Sequence, residues 1–130
     1  MYDYISGKIT HATATYIVVE ANGVGYQLQV SLQTYSKLKD AQSAKVYAHL
    51  SIKEDAHLLF GFADEDERQL FRNLISVSGV GPGTARVMLS SLSTTELQSA
   101  ITTGNVAVIK KIKGIGDKTA QRIVIDLKDK

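Results

Sequence analysis

The feature that most restricts how this chain can fold is an internal repeat in its second half. When residues 71–92 are shifted forward by 35 positions, four identities fall within one short stretch. They pair Gly79 with Gly114, Gly81 with Gly116, Thr84 with Thr119 and Ala85 with Ala120. Apolar residues also recur at matching steps before each pair of glycines. Each unit is therefore predicted to be a helix, a turn of the form apolar-x-Gly-apolar-Gly, and a second helix.

The repeated turn has a backbone that suits contact with an anion. Glycine adopts conformations that are costly for other residues, and it has no side chain to keep a ligand away. The next helix begins immediately, so its unpaired N–H groups and the positive end of its dipole point toward the same space. Val80 and Ile115, in the middle of the two turns, are predicted to anchor them inward. This pattern indicates a helix-hairpin-helix motif, which holds a duplex by its phosphates and reads no base sequence.

The two copies differ in the charges around the turn. The second copy is surrounded by five cations, which are Lys110, Lys111, Lys113, Lys118 and Arg122. Near the first copy, Pro82 suits the first helical turn, Gly83 carries no charge, and only Arg86 is basic. One copy alone fits a packing turn equally well, and cations alone fit a solvated face, but two copies favour nucleic acid. The predicted phosphate-binding residues are Gly79, Val80, Gly81, Thr84, Arg86, Lys113, Gly114, Ile115, Gly116, Lys118, Thr119 and Arg122.

Composition indicates a globular protein and excludes several other classes. Hydrophobic residues make up 44% of the 130 residues. The 15 basic and 13 acidic residues leave a net charge of +2, which is too small to indicate a binding partner. The basic surplus lies in residues 101–130, which carry seven basic and three acidic side chains. The absence of cysteine excludes disulfides and thiolate metal sites. Because we find no signal-peptide pattern and no stretch of ~18 apolar residues, we expect a soluble, cytoplasmic protein.

The first half of the chain has the period-two pattern of a half-buried β-sheet. Five strands are predicted at residues 2–11, 15–21, 26–31, 44–53 and 57–62, with a short helix at residues 32–38. Five short strands favour a small barrel, because closing the sheet removes its edges. We therefore expect an α+β chain with a barrel at residues 1–63 and a helical DNA-binding domain at residues 64–130.

The pattern becomes helical at an acidic run, residues 64–67. The run could be a cation site, but its position favours a helix N-terminus, where acids interact with the helix dipole. Asp64 is predicted to cap the helix and Glu67 to complete a capping-box-like pair. Ser93 and Glu96 repeat the same S-x-x-E signal before another short helix.

Glu54 and Asp55 lie at the predicted turn between the last two strands. Adjacent carboxylates at a hairpin tip are usually turn-forming residues, and their side chains diverge rather than converge on a metal. In a DNA-binding protein, however, negative charge at such a tip repels phosphates. Such a charge would favour DNA whose strands separate at that point.

Other site chemistry finds little support in the sequence. The three histidines, at positions 11, 49 and 57, lack the spacing of metal ligands. The segment 114–119 has some likeness to a phosphate-binding loop, but Asp117 stands where that motif needs glycine directly before its lysine. We therefore expect no ATP site, no metal, no cofactor and no catalytic residue.

Taken in order, these elements resemble the RuvA family, the Holliday-junction-binding subunits of the bacterial branch-migration machine. The match covers all 130 residues. The segments that carry it are residues 4–9, 22–26, 53–62, 74–82 and 114–122. The most specific is residues 53–62, Lys-Glu-Asp-Ala-His-Leu-Leu-Phe-Gly-Phe, because helix-hairpin-helix turns alone occur in many DNA-binding proteins.

The resemblance implies a fold and a set of partners. The fold would be an N-terminal OB-fold barrel and a tandem helix-hairpin-helix domain, and a linker would lead to a small domain that docks the motor. We expect that last domain to be absent, since Lys130 ends the chain where the linker should begin. The partners would be four-way junction DNA, three further copies in a homotetramer, a RuvB-type hexameric ATPase, and a junction resolvase. The complex would be an ATP-dependent helicase acting in recombination, repair and the SOS response, with this chain as its non-catalytic scaffold.

The resemblance also implies roles for particular residues. The tetramer would present a flat basic face to an open junction, with an acidic pin, Glu54 and Asp55, near the crossover. The phosphate contacts would lie at the two glycine turns, with Lys118 and Arg122. The chain departs from the family pattern at Gly83 and at Asp117, where family members often carry basic residues. Fewer side-chain contacts follow, so backbone amides would carry more of the binding.

Two other classes of function remain open on the sequence alone. The first is a repair enzyme, a glycosylase or a nuclease, since such enzymes also use helix-hairpin-helix modules; however, we cannot assemble a catalytic pocket or a carboxylate metal cluster. The second is a single-strand-binding protein that stacks bases on Tyr16, Tyr26 and Tyr47 of the barrel. The alternation of these tyrosines along their strands favours packing within the barrel instead.

Overall fold

A computed structural model describes residues 1–130, and the chain divides into two compact units, Met1–Arg68 and Gln69–Lys130. The first unit contains all five strands, and the second is helical. No helix has the length and apolar character that a membrane crossing requires. The α+β class predicted from the sequence is confirmed.

The strands of the first unit close into a barrel. They are β1 (Tyr4–Ala12), β2 (Tyr16–Ala21), β3 (Val24–Gln29), β4 (Ser43–Lys53) and β5 (Ala56–Phe62), and helix α1 (Leu32–Leu38) lies between β3 and β4 in the sequence. The order around the barrel is β1-β2-β3-β5-β4. Neighbouring strands are antiparallel except β3 and β5, which are parallel. Every strand has a partner on each side, so the barrel predicted from the sequence is confirmed.

The barrel interior is filled by apolar residues that alternate along the strands. Five of them are fully buried, namely Ile17, Val19, Leu28, Val46 and Ala48. Partly buried residues such as Ile9, Tyr26 and Leu59 pack around this core. Burying an isoleucine, valine or leucine side chain contributes about 1.5–3 kcal/mol. This core fixes the frame from which the β4–β5 turn extends.

Helix α2 (Glu65–Ile75) begins with contacts that the sequence predicts only in part. The Asp64 carboxylate accepts a hydrogen bond from the Glu67 N–H at 3.0 Å, so Asp64 caps the helix as expected. The Glu67 side chain does not complete a capping box. It is buried, and it accepts hydrogen bonds from the hydroxyls of Ser31, at 2.6 Å, and Thr34. That prediction is wrong because the hydroxyls of Ser31, the N-cap of α1, and Thr34, within α1, donate to the carboxylate inside the unit.

The environment of Glu67 changes its acidity. Burial raises the pKa of Glu67, and the hydrogen bonds from Ser31 and Thr34 offset only part of that rise. The Asp64 carboxyl behaves in the opposite way. Burial would raise the pKa of Asp64, but hydrogen bonds from Lys37 and the Glu67 N–H outweigh it and lower the pKa. Two carboxylates therefore hold the start of α2 to the first unit, Glu67 with a raised pKa and Asp64 with a lowered one.

Arg68 extends this attachment by one residue. Its guanidinium donates hydrogen bonds to the backbone oxygens of Asp3 and Ala48, and to the carboxylates of Asp3 and Glu65. It also lies 5.2 Å from the centre of the Tyr47 ring, a distance suited to a cation–π interaction. The first unit therefore ends after Arg68, a few residues beyond the change in sequence pattern at residue 64.

The helices of the second unit form two hairpins joined by a linking helix. After α2 come α3 (Pro82–Ser91), α4 (Thr94–Thr102), α5 (Val106–Lys110) and α6 (Asp117–Leu127). Ser93 and Glu96 form the predicted capping box at the start of α4, with hydrogen bonds of 3.1 and 3.0 Å. One hairpin joins α2 to α3 and the other joins α5 to α6. The repeat in the sequence is therefore a repeat of two helical hairpins.

Candidate nucleic-acid interface

The two glycine turns have nearly the same backbone conformation. The leading glycine has a positive φ in both, 93° at Gly79 and 88° at Gly114. The second glycine is the N-cap of the next helix, with φ −92° and ψ 173° at Gly81 and φ −85° and ψ 173° at Gly116. Since a positive φ is costly for residues with a Cβ, the leading position requires glycine. The local sequence therefore sets the same shape twice.

An apolar residue holds each turn to the helices behind it. Val80 and Ile115 are 5% and 6% exposed, whereas the glycines on either side of them are exposed. The N–H of Val80 donates to the Val77 oxygen at 3.1 Å, and the N–H of Ile115 donates to the Ile112 oxygen at 3.0 Å. The apolar side chain thus points inward while the glycine backbone faces solvent, as the sequence predicts.

The helix that follows each turn begins without a side-chain cap. The N-cap residues are Gly81 and Gly116, which have no side chain to accept a hydrogen bond from the first turns of α3 and α6. The first backbone bonds are those from Ala85 to Gly81, at 2.9 Å, and from Ala120 to Gly116, at 3.0 Å. A Cβ placed at either N-cap glycine would meet nothing within 4 Å. The N–H groups of both helix starts are therefore open to an anion, which the helix dipole also attracts.

The two turns lie near each other within the second unit. A Cβ placed at Gly79 would be 4.0 Å from the Thr119 hydroxyl oxygen, and Thr119 is in the first turn of α6. The first turn thus lies beside the helix start that belongs to the second. Sequence reasoning does not predict this contact, because it depends on how the two hairpins pack. The repeat is the only sequence signal that bears on it.

The cations around the second turn are exposed, and two of them face acids. Lys110 lies 3.9 Å from the Asp117 carboxylate, and Arg122 lies 3.8 Å from Asp126. Exposed pairs at this distance are weak. The predicted contacts Lys113 and Lys118 have no ion pair and are exposed. The second turn therefore has cations available for phosphate, together with one acid, Asp117, at the helix start.

The first turn has the same backbone with fewer charges. Pro82 occupies the first helical position of α3, where its missing N–H costs nothing. Gly83 is open, with nothing within 4 Å of a Cβ placed there. Thr84 and Arg86 follow within the first turns of α3, and both are half-buried. Backbone amides are therefore the main feature that this turn offers to an anion.

The two acidic residues singled out in the sequence form the tip of the β4–β5 hairpin. Lys53 pairs with Ala56, which leaves Glu54 and Asp55 as a two-residue connection. Both carboxylates are exposed, and neither makes an ion pair. The tip therefore carries two carboxylates without an ion pair, next to the exposed Lys53. This hairpin belongs to the first unit, whereas the glycine turns belong to the second.

The structure brings no metal-binding cluster together. No group of three or more histidine, cysteine, aspartate or glutamate side chains could hold a metal ion. His49 lies opposite Phe60 and His57 lies opposite Ile52 across the β4–β5 pair, so the two histidines do not face each other.

The barrel tyrosines that could stack bases are engaged in packing. The Tyr26 ring meets the Tyr2 ring edge-on at 6.0 Å, and the Tyr16 ring lies 5.7 Å from that of His11. The centre of the Tyr47 ring lies 5.4 Å from the Lys45 ammonium and 5.2 Å from the Arg68 guanidinium. Tyr16, Tyr26 and Tyr47 are all half-buried. These contacts favour the packing interpretation over a base-stacking surface.

Comparison with protein families gives a match in each half of the chain. The model of the RuvA N terminal domain matches residues 1–61. The model of the SAM-like helix-hairpin-helix tandem matches residues 71–129. The matched segments correspond to the barrel and to the two helical hairpins.

Curated relatives match along the whole chain. The Holliday junction branch migration complex subunit RuvA of Christiangramia forsetii is 52% identical over 130 residues, which is all of this chain and 67% of the relative. The proteins of the same name from Cytophaga hutchinsonii and Bacteroides fragilis are 52% and 50% identical over the same span, each covered to 65%. The chain thus spans about two thirds of the length of these relatives.

Proposed function

We propose a function from the premise that this chain belongs to the RuvA family: it binds four-way DNA junctions without reading their base sequence, as a scaffold subunit of a branch migration complex. The observation that carries the proposal is the pair of glycine turns. Both expose backbone N–H groups at an uncapped helix start, and they lie near each other in one unit. Such groups bind phosphate, which is present at every position of every sequence.

The phosphate-binding residues proposed are those of the two turns and the cations beside them. Gly79, Gly81, Gly114 and Gly116 supply amides, and Thr84 and Thr119 supply hydroxyls at the helix starts. The cations that supplement them are Arg86, Lys113, Lys118 and Arg122. Val80 and Ile115 act from inside, by holding the turns in place.

We further propose that Glu54 and Asp55 discriminate a junction from a linear duplex. Their charges have no ion pair at the end of a hairpin, so a continuous phosphate backbone is repelled there. A junction can place its separating strands around such a tip, because its arms diverge at the crossover. The tip would therefore penalise duplex more than junction.

The test of the proposal compares junction and duplex binding. The variant Glu54→Ala/Asp55→Ala should bind duplex more tightly relative to junction than the native protein does, as measured by gel shift at fixed salt. The matched control is Glu20→Ala/Asp40→Ala, which removes two exposed carboxylates elsewhere in the first unit. An unchanged ratio in the tip variant would refute the role of the carboxylates. Failure of the native protein to prefer a junction would refute the function itself.

The finer assembly is also a proposal. We infer that the chain forms a homotetramer, that it acts with a RuvB-type ATPase and a junction resolvase in the bacterial cytoplasm, and that it has no catalytic activity of its own. The names of the relatives support a partner within a branch migration complex. The small size of each unit, which buries modest surface alone, supports self-association. Molecular mass in solution tests the tetramer directly. A monomer at micromolar concentration would contradict it.

A further inference from the structure

The β4–β5 hairpin projects beyond the barrel as a two-stranded ribbon. The pairing of β4 with β1 ends at Tyr47, and β5 pairs with β3 only at Leu59 and Phe60. Residues 51–53 of β4 and 56–58 of β5 are therefore paired only with each other. A two-stranded ribbon has no third strand or core to cover its faces. Side chains on this ribbon meet whatever the protein binds there.

The ribbon exposes a large apolar side chain on each face. Ile52 is 63% exposed and Leu58 is 41% exposed. Ile52 lies opposite His57, and Leu58 lies opposite Ser51, so the two apolar side chains point to opposite faces. Directly beyond them, Glu54 and Asp55 form the tip. The ribbon is thus an acidic tip with an apolar side chain on either side of its base.

We propose that Ile52 and Leu58 contact the faces of nucleobases at the junction crossover, an inference that rests on the proposed function. DNA offers two surfaces, a charged backbone and the apolar faces of its bases. The carboxylates of Glu54 and Asp55 repel the backbone. The apolar side chains gain by covering a base face that has lost its stacking neighbour, as apolar wedges do in other DNA-binding proteins. The acidic tip and the apolar side chains therefore both favour a nucleobase as the group that the ribbon contacts.

A second copy of this chain is the competing occupant, and the charges disfavour it. A contact between two ribbons would bring four carboxylates and two lysines together at their tips, Glu54, Asp55 and Lys53 of each copy, and this leaves a net charge of −2. No cation of the ribbon is paired with these carboxylates within the chain. Like charges in close contact are costly. A base at a crossover carries no charge, so it meets the ribbon without this penalty.

The experiment uses a four-way junction that carries 2-aminopurine, an adenine analogue whose emission rises when it unstacks, at the crossover. The native protein should raise this emission on binding. The variant Ile52→Thr/Leu58→Thr should lose most of that rise, while its affinity for the junction falls only a few-fold because the glycine turns are intact. Threonine retains strand preference, so the ribbon should still form. The control is Val24→Thr, an exposed apolar residue at a different hairpin, 50% exposed.

Each outcome decides the inference. Loss of the emission rise in the ribbon variant, with native emission in the control, supports it. An emission rise equal to that of the native protein overturns it. A fall in molecular mass of the ribbon variant without DNA also overturns it, because the side chains would then be subunit contacts. If the native protein binds the junction but leaves the emission unchanged, this inference fails while the proposed function stands.

Discussion

The two helix-hairpin-helix copies share a backbone but not a set of charges. Their leading glycines have nearly the same positive φ, their N-cap glycines have nearly the same extended conformation, and each turn is held by one buried apolar residue. Around the second turn lie five exposed cations and one acid at the helix start, whereas the first turn has a proline, a glycine and one arginine nearby.

The difference shows which parts of the motif local sterics determine. A positive φ needs glycine and the turn needs an apolar anchor, and both copies have these residues. The N-cap glycines have an ordinary φ, but without a Cβ they leave the helix start open. Exposed cations contribute little to the stability of the turn, so the two copies can differ there. The backbone contribution and the charge contribution to phosphate binding can therefore be separated by mutation.

The largest effect is expected where a side chain would block the backbone amides. Gly81→Ala and Gly116→Ala should each weaken junction binding about tenfold or more, because a hydrogen bond to a charged group contributes about 1.5–3 kcal/mol. The two losses should be similar. Fluorescence anisotropy measures the affinity, and thermal melting should change little, since the φ of both residues is ordinary.

Gly25→Ala is the matched control, because it adds a methyl group in the barrel at ordinary contact distance, 3.4 Å from Val18. Its junction affinity should equal that of the native protein. Native affinity in the Gly81 and Gly116 variants would show that the amides at these positions do not contact phosphate. A large effect at one turn only would break the equivalence of the two copies.

A second prediction concerns stability rather than binding. Gly79→Ala and Gly114→Ala should each lower the free energy of unfolding by about 1–2 kcal/mol, because alanine at a positive φ is strained. Denaturant titration measures the loss. Equal losses would support equivalent backbones, and the absence of a loss at either position would show that this turn adopts another conformation in solution.

The charge difference predicts different salt dependences. Lys118→Ala and Arg122→Ala should each lower the slope of log affinity against log salt by about 0.9, the value for one phosphate contact. Arg86→Ala should change the slope less, because that side chain is already half-buried. Lys39→Ala, an exposed lysine of the first unit, is the control. A loss of affinity confined to junctions of particular sequence would contradict phosphate contact.

The smallest expected effect is a gain in junction affinity at Gly83 and Asp117, the two positions near the turns where a basic residue is absent. Asp117→Asn removes an acid from the helix start and frees Lys110, and Gly83→Lys adds a cation beside the first turn. Each should raise junction affinity about two- to fivefold, the scale of a single charge at a helix end. Isothermal titration at low salt measures the gain, and Asp129→Asn serves as the control. Weaker binding by either variant would show that these positions do not face DNA.

Much of the fold follows from periodicity in the sequence. Helix α1 occupies the predicted residues, and most strands lie close to the predicted segments. The exception is β3, which is Val24–Gln29 instead of residues 26–31, because the preceding turn uses only Asn22 and Gly23, both at positive φ. The glycine turns could be predicted because their conformation depends on a few adjacent residues. The capping box of Ser93 and Glu96 is predictable for the same reason.

Features that depend on packing between distant segments could not be predicted. Asp64 and Glu67 have the same spacing as Ser93 and Glu96, yet the Glu67 side chain turns to Ser31 and Thr34. The position of Thr119 beside Gly79 likewise depends on how two hairpins pack. In each case the deciding partner lies more than thirty residues away in the chain.

The most direct test of phosphate binding by the two turns is the amide NMR spectrum of the protein with junction DNA. Two junctions of unrelated base sequence are titrated, and the amide resonances of Gly79, Gly81, Gly114 and Gly116 are followed. Phosphate contact at both turns predicts that these four resonances shift, and that both junctions shift them alike. Unmoved glycine resonances at saturation, or shifts that change with the base sequence, would contradict it.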